Sequence, residues 1–209
     1  MKLITPFGYP GSGKGTQTAN IVAEPMFGVL ASLVLGDVFR RIQKQDPHGT
    51  IGLVMGMGGL IPDEIVNPML VQFFRNNIGK STGTGYESLV VDGWPRNGNQ
   101  ARLLPGHLRA FGITEAHILN IEVPPTVCRD RMIKRAQKAS GGHVRLDDSK
   151  VEVIEERIAA HGVAAAHILP FLREQEDVYI HDIDGEVPGL MVFDQIKTKL
   201  GLPTPGVLV

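Results

Sequence analysis

The chain is 209 residues long, and its 21 lysine and arginine residues nearly balance its 22 aspartate and glutamate residues, for a formal net charge of −1. This length suits one compact domain with small insertions, and the balanced charge argues against a broad basic surface for nucleic acid or an anionic membrane. No apolar run reaches the length of a membrane span, and the N-terminus lacks the apolar core and cleavage site of a signal peptide. Cys128 is the only cysteine, which excludes an internal disulfide and a structural zinc site built from several cysteines. We therefore expect a cytoplasmic monomer without nucleic-acid or membrane partners.

Short apolar runs alternate with helical patterns along the chain. The runs predicted as strands are 2–7, 29–34, 88–92, 116–123 and 178–183. They lack strict alternation, which is typical of parallel strands buried on both faces. The pattern predicts an α/β fold, a doubly wound five-stranded parallel sheet with helices on both faces. Pro6 conflicts with a central first strand because it lacks an N–H donor, so we expect it at the end of that strand.

Residues 8–17 read Gly-Tyr-Pro-Gly-Ser-Gly-Lys-Gly-Thr-Gln, between the first strand and a helix predicted from about Gly15 to Ala23. The glycines let backbone N–H groups point inward as a phosphate-binding nest at a helix N-terminus. Lys14 adds a charge for the β- and γ-phosphates, and Thr16 a hydroxyl for Mg²⁺. A glycine-rich turn without a ligand is the alternative, but lysine and threonine at these spacings favour a nucleotide. The predicted ATP-binding residues of this P-loop are Gly11, Ser12, Gly13, Lys14, Gly15 and Thr16.

Further motifs follow in order: 36–40 (Gly-Asp-Val-Phe-Arg), 59–64 (Gly-Leu-Ile-Pro-Asp-Glu), 92–100 (Asp-Gly-Trp-Pro-Arg-Asn-Gly-Asn-Gln), Arg131, Arg135, 145–148 (Arg-Leu-Asp-Asp) and Arg157. In this order, over nearly the whole chain, they resemble the adenylate kinases, or more broadly the nucleoside monophosphate kinases, of the short-lid type. The resemblance implies one kinase domain over residues 1–209. It also implies reversible transfer of the terminal phosphoryl group from ATP–Mg²⁺ to AMP, giving two ADP.

The resemblance gives the arginines distinct roles. Arg40 and Arg96 would grip the acceptor phosphate, and Arg131 would stack on the adenine of the donor. The implied catalytic residues are Lys14, Arg96, Arg135, Arg145 and Arg157, with Arg131 and Arg135 also contacting ATP. The implied AMP-binding residues are Leu35, Arg40, Gly59, Ile61, Gly93, Arg96, Gln100, Arg145 and Arg157. Arginine suits a loose transition state because its planar fork holds phosphate oxygens without losing its charge.

Two carboxylates are candidates for the magnesium site. Asp92 ends the third strand beside the phosphate loop, at the edge of the sheet where ligands bind. It would hold Mg²⁺ together with Thr16, through water, because this ion loses its waters reluctantly. Asp37 resembles a second acidic residue near the ion, and its alternative role is the N-cap of a helix over 38–45. We rank Asp92 above Asp37.

Two insertions are expected to move. Residues 34–62 resemble the small domain that closes over the acceptor, and residues 136–144 occupy the place of a short lid over the donor. Ser140, Gly141 and Gly142 would let the lid swing. Closure would expel water and suppress hydrolysis of ATP.

The acceptor base is predicted from few residues. Gln100 stands where adenylate kinases place the glutamine that bonds the adenine edge. Leu35 replaces a usual threonine, and Gly59 replaces a frequent lysine, so relaxed base selectivity is plausible. The alternatives are a UMP/CMP or broad-specificity kinase, and a degenerate nucleotide-binding regulatory module. A GTP-hydrolysing switch is set aside because no guanine-reading Asn-Lys-x-Asp is present.

The last helix before the fifth strand is predicted from about Lys150, with Asp148 or Ser149 as N-cap and Glu152 completing a capping box. Arg145 and Arg157 are one residue farther apart than is usual in the family that the chain resembles. A helix start at Lys150 would place the additional residue in the preceding loop and keep Arg157 facing the site. Val151, Ile154 and Ile158 are expected to face the core, and Pro170 to kink or end the helix. His161 and His167 are interpreted as solvated or core-edge residues rather than metal ligands, and Cys128 as a buried small residue.

Overall fold

Five parallel strands form one sheet in the order β2-β3-β1-β4-β5 in the computed structural model, which describes residues 1–80, 87–138 and 150–203. The strands are β1 (Lys2–Phe7), β2 (Val29–Val34), β3 (Ser88–Asp92), β4 (Glu115–Glu122) and β5 (Val178–Asp184). Each agrees with a predicted run to within one residue at either end. The predicted doubly wound parallel sheet is therefore confirmed.

Eight α-helices lie within the described residues. They are α1 (Lys14–Ala23), α2 (Leu35–Gln45), α3 (Thr50–Gly56), α4 (Asp63–Asn77), α5 (Gly98–Phe111), α6 (Pro125–Lys138), α7 (Val151–Arg173) and α8 (Gly189–Lys199). Within these residues, no helix combines the length and the apolar character that crossing a membrane requires.

Successive residues of the strands face two different hydrophobic clusters. Leu3 packs in a cluster with residues of α4, α5 and α7, whereas Ile4 packs with residues of α1, α6 and α8. Leu89 and Val90 of β3 divide in the same way, and all four side chains are fully buried. Full burial of such a side chain stabilises the folded state by about 1.5–3 kcal/mol relative to leaving it exposed. Helices therefore cover both faces of the sheet, as the continuous apolar runs predict.

Pro6 lies where β1 has already left one of its neighbours. The pairing of β1 with β3 extends only from Lys2 to Ile4, whereas its pairing with β4 continues to Phe7. The missing N–H therefore falls near the end of β1, where this central strand is paired with β4 alone, as expected.

Two helix starts differ from the prediction. Helix α2 begins at Leu35 with Val34 at its N-cap, so Asp37 lies in the first turn and the N-cap interpretation is wrong. Val34 at the N-cap has an extended backbone. The helix begins directly after it, because Leu35 is buried in the core at 1% exposure. Helix α7 begins at Val151 with Lys150 at its N-cap, which corrects the predicted cap at Asp148 or Ser149, two residues outside the described ranges.

The buried face of α7 also differs in its first turn. Ile154 and Ile158 are buried as predicted, but Val151 is 44% exposed and Val153 is buried instead. Val153 is turned towards Gly58, where a Cβ atom would lie 3.2 Å from Val153 Cγ1. Pro170 does not end the helix, which continues to Arg173. The prediction failed at Val151 because tertiary contact with the segment after α3 decides which side of the first turn is covered.

Candidate active site

A cavity of about 790 Å³ opens at the carboxyl edge of the sheet, beside β1 and β3. This edge is where open parallel sheets bind ligands, at the point where the strand order reverses. The phosphate loop, α1, α2, α6, α7 and the loop after β3 all contribute to its wall. Elements that are distant in the sequence therefore meet around one space.

Two glycines give the phosphate loop its path. Gly8 and Gly11 have φ angles of +139° and +90°, which side-chain-bearing residues rarely adopt. A Cβ on Gly8 would lie 2.6 Å from the Ile121 carbonyl oxygen, and one on Gly11 would lie 2.5 Å from the Cys128 carbonyl oxygen. The loop can thus lie against the end of β4 and against α6 only because glycine occupies both positions.

Lys14 begins α1, and its ammonium group folds back over the loop. Its Nζ donates to the carbonyl oxygens of Gly8 at 2.5 Å and Tyr9 at 2.8 Å. Burial lowers the pKa of Lys14 to about 8, and the charge of Arg96 adds to this, while the nearby carboxylate of Asp92 opposes it. The ammonium therefore lies in the nest that the sequence predicts for phosphate oxygens.

Asp92, at the end of β3, lines the cavity and is 8% exposed. The Thr18 hydroxyl lies 3.0 Å from Asp92 Oδ2 and 3.0 Å from the Lys14 carbonyl oxygen, and its single proton can serve one of them at a time. The predicted partner Thr16 lines the same cavity. Sequence reasoning missed Thr18, although its place one helical turn after Lys14 is a signal that it shares that face of α1.

These oxygen atoms suit Mg²⁺. A carboxylate and hydroxyls are hard ligands, and Mg²⁺ commonly takes only one or two carboxylates and completes its shell with water and substrate phosphates. Within the described ranges, no group of three histidine, cysteine, aspartate or glutamate residues could hold a metal without such help. The residues present therefore fit a magnesium ion that arrives with a nucleotide.

Five of the six predicted arginines line the cavity, namely Arg40, Arg96, Arg131, Arg135 and Arg157. Arg40 pairs with Asp37 at 2.5 Å, and Arg131 donates to the carbonyl oxygen of Gly185 at 3.2 Å. The sixth, Arg145, lies outside the described residues, as do Ser140, Gly141 and Gly142 of the predicted lid. The cavity is consequently strongly cationic, although the whole chain is nearly neutral.

The predicted acceptor residues divide into two groups. Gly59, Ile61 and Gly93 line the cavity with the arginines. Leu35 and Gln100 are 1% and 2% exposed and lie behind its wall. Of the predicted ATP-binding residues, Ser12 is also buried, and its hydroxyl is without a hydrogen-bond partner among the described residues.

Gln100 is held by a hydrogen-bond network. Its Oε1 accepts from the Arg96 backbone N–H at 2.7 Å, and its Nε2 donates to Asp63 Oδ1 at 2.7 Å. Asn97 caps α5 by accepting from the Gln100 backbone N–H at 2.8 Å and donates to the same Asp63 oxygen at 3.0 Å. The sequence does not indicate this role of Asp63.

His161 on α7 is a further cavity residue that sequence reasoning missed. Its ring centroid lies 5.0 Å from that of Phe7 and 4.6 Å from that of Tyr9, the latter with an edge-on geometry. Burial lowers the pKa of His161 to about 3, and the charges of Lys14 and Arg96 add to this, so the ring is neutral near pH 7. It joins the phosphate loop to the helix that carries Arg157. Cys128, by contrast, is fully buried in the core as predicted.

The chain is similar to known proteins over almost its whole length. The profile of the family described as adenylate kinase matches residues 7–177. An adenylate kinase of Streptococcus gordonii is 30% identical and covers 92% of this chain and 95% of its own length. One of Cyanothece sp. is 31% identical over 94% of each chain, and one of Methylobacterium nodulans is 32% identical over 90% of each. The chain therefore belongs to the adenylate kinase family and is a nucleotide-binding phosphotransferase.

Proposed function

We propose that this cavity transfers the terminal phosphoryl group of ATP–Mg²⁺ to AMP, reversibly, and gives two ADP. One observation carries the proposal: Lys14 and five arginines from four parts of the chain face one cavity behind a glycine-rich phosphate loop. Two nucleotides bring several phosphate charges together, and only a cluster of fixed cations makes that favourable.

The protein needs to supply little covalent chemistry in this reaction. The attacking atom is a phosphate oxygen that is already anionic near neutral pH, so no general base is required. The side chains instead align the two phosphates and stabilise charge on the transferring group. This agrees with a site rich in arginine, in which His161 of the wall is neutral.

The arginines divide by the elements that carry them. Arg40 on α2 and Arg96 after β3 lie on the side of the acceptor insert and would grip the acceptor phosphate. Arg131 and Arg135 on α6 would contact the donor, Arg131 through the adenine of ATP. Arg135, Arg157 and Arg145 would hold the transferring group. Lys14 would exchange the carbonyl oxygens of Gly8 and Tyr9 for the phosphates.

Asp92 and Thr16 would hold the magnesium ion through water, and Thr18 would hold Asp92 in place. The bound ion would neutralise charge on the donor phosphates and fix their geometry. Asp37 is the weaker candidate, because it already pairs with Arg40.

The two insertions would exclude water during transfer. Residues 34–62 contain α2 and α3, and Gly58 after α3 lies against Val153 and Arg157 of α7. The acceptor insert thus approaches the helix that carries an arginine of the transferring group. Residues 136–144 would close as a short lid from the end of α6.

A broader acceptor range is a second candidate. The buried Leu35 offers no hydroxyl to a base, and Gln100 lies behind the cavity wall in contact with Asp63. Both observations favour an AMP preference that is modest, with CMP and UMP as weaker acceptors.

The test is to follow the phosphoryl group itself. ATP labelled at its γ-phosphate is incubated with Mg²⁺, AMP and the protein, and the products are separated. We expect the label in the β-phosphate of ADP, two ADP for each ATP consumed, and no transfer by the Lys14→Ala variant. Label released as inorganic phosphate, with AMP unchanged, would contradict the proposal.

A further inference from the structure

Asp63 joins the acceptor insert to the segment that carries Arg96. It is the first residue of α4, directly after the insert, and one of its oxygens accepts from the side-chain amides of Gln100 and Asn97. Both amides lie at the start of α5. A single carboxylate oxygen therefore connects two helix starts next to the cavity.

The network fixes which end of the Gln100 amide is oxygen. A backbone N–H can only donate, so the atom facing the Arg96 N–H at 2.7 Å is Oε1. An ionised carboxylate can only accept, so the atom facing Asp63 at 2.7 Å is Nε2. Rotating the amide by half a turn would set donor against donor and acceptor against acceptor, at a residue that is only 2% exposed. Leaving such buried groups unpaired is strongly unfavourable.

The two contacts use one N–H of Nε2 and one lone pair of Oε1, so the second N–H and the second lone pair are also fixed to known ends of the amide. A 6-amino purine matches this arrangement, because its amino group donates next to a ring nitrogen that accepts. A 6-oxo purine reverses both groups, with a carbonyl that accepts next to a ring N–H that donates. It would pair only with the opposite orientation of the amide.

We propose that Asp63 is a positioning residue that locks the Gln100 amide in one orientation and thereby makes the acceptor pocket select a 6-amino purine over a 6-oxo purine. The inference rests on the proposed function and on the sequence prediction that Gln100 bonds the base of the acceptor. Without Asp63, only the Arg96 N–H opposes rotation of the amide, and both base types find a matching orientation.

The test compares AMP with inosine monophosphate, which differ in these two groups alone. Their kcat/KM values at saturating ATP–Mg²⁺ are measured for the wild type, Asp63→Ala, Asp63→Asn and Glu64→Ala. We expect Asp63→Ala to reduce the AMP-to-inosine ratio about tenfold, which corresponds to one hydrogen bond. Asp63→Asn keeps an oxygen for both amides and should stay within about threefold of the wild-type ratio.

Glu64→Ala is the matched control. Glu64 lies in the same first turn of α4, is exposed, and carries the same charge at the helix start. We expect it to leave the ratio unchanged within about twofold, as for other surface substitutions. The KM for ATP should be unchanged in all variants, because the donor site does not contact Asp63.

A folded Asp63→Ala protein with the wild-type ratio would overturn the inference, since a merely structural role would lower both acceptors together. If that variant does not fold, the Gln100 side-chain amide is observed by NMR in the wild type and assigned by its loss in Gln100→Ala. A scalar coupling across the hydrogen bond from Gln100 Nε2 to the Asp63 carboxylate supports the lock, and its absence refutes it. A wild type that does not phosphorylate AMP contradicts the proposed function and removes this inference with it, whereas AMP activity with an unchanged ratio contradicts this inference alone.

Discussion

The Lys14 ammonium donates to the carbonyl oxygen of Gly8 at 2.5 Å, so the phosphate loop holds the charge of its own lysine through a backbone oxygen. The Tyr9 carbonyl oxygen lies 2.8 Å from the same nitrogen. These contacts hold the charge where phosphate oxygens would enter, and a nucleotide would replace neutral acceptors with anionic ones. A cation fixed at this position needs little reorganisation to stabilise charge on a phosphate.

Replacing Lys14 with alanine should remove nearly all phosphoryl transfer and leave the fold intact. The lost charge follows the transferring group, and removal of one such electrostatic contact lowers kcat by a factor on the order of 10²–10³. Steady-state kinetics measure the loss, and circular dichroism and thermal unfolding check the fold. Lys199→Ala is the control, because Lys199 is exposed at the end of α8. Near-normal turnover by a folded Lys14→Ala protein would contradict the assigned role.

The kcat/KM for ATP should fall as the pH rises through about 8, the value to which burial lowers the pKa of Lys14. Below this pH the group is an ammonium and attracts the triphosphate, and above it the group is neutral. Because kcat/KM reports the free enzyme, it shows this pKa, whereas kcat should stay level to higher pH since bound phosphates stabilise the cation. A pH series at saturating AMP measures both. A kcat/KM that stays level well above pH 8 would show that Lys14 keeps its proton in the free enzyme.

Arg40→Ala should weaken the use of AMP and leave that of ATP unchanged. A hydrogen bond to a charged group is worth about 1.5–3 kcal/mol, which corresponds to a rise of roughly 10- to 150-fold in the KM for AMP. Arg41→Ala is the matched control on the same helix, since Arg41 is exposed and lies outside the cavity wall. Arg96→Ala should behave like Arg40→Ala. If either variant loses affinity for ATP while its KM for AMP is unchanged, the division between acceptor and donor arginines must be reversed.

Asp92→Asn should raise the Mg²⁺ concentration that gives half-maximal rate, and Asp37→Asn should raise it less. Asparagine preserves the shape and the contact with Thr18, but it removes the negative charge that attracts the ion. Rates are measured in Mg²⁺ titrations at constant total ATP and AMP. A larger effect of Asp37→Asn would show that Asp37, rather than Asp92, is the main carboxylate partner of the magnesium ion.

Gln100→Asn should shift the acceptor preference from AMP towards CMP and UMP. The shorter amide cannot keep its bonds to Arg96 and Asp63 and also reach a purine edge. Leu35→Thr should sharpen the preference for AMP if its hydroxyl is accommodated at this buried position. The ratios of kcat/KM for the three acceptors measure both effects. An unchanged ratio in Gln100→Asn would exclude Gln100 as the residue that reads the base.

The sheet and the phosphate loop were predictable because they depend on local signals. Continuous apolar runs mark strands buried on both faces, and the glycines around Lys14 specify one backbone path. The motif arginines were predictable by resemblance, and five of them face one cavity.

The contacts that position those groups were not predictable, because they join residues that are distant in the sequence. Thr18 meets Asp92 only when β3 lies beside β1, and His161 meets Tyr9 only when α7 packs on the phosphate loop. In the sequence, Asp63 is recognisable only as a carboxylate at the start of a helix. Its contact with Gln100 forms only when α5 packs beside it. The error in the buried face of α7, where Val151 was predicted to be buried and Val153 is buried instead, has the same origin. The segment at Gly58 decides which side of the first turn of α7 is covered.

The most direct test of the central claim is the initial rate of the wild-type protein with ATP–Mg²⁺ and each of AMP, CMP, UMP and GMP, followed as nucleoside diphosphate formed. AMP should give the highest kcat/KM, with a modest lead over CMP and UMP, a larger lead over the 6-oxo purine GMP, and two ADP for each ATP. A higher kcat/KM for CMP or UMP would contradict the assignment of AMP as the acceptor and of Gln100 as its reader. Absence of transfer to all four would contradict catalysis by this cavity.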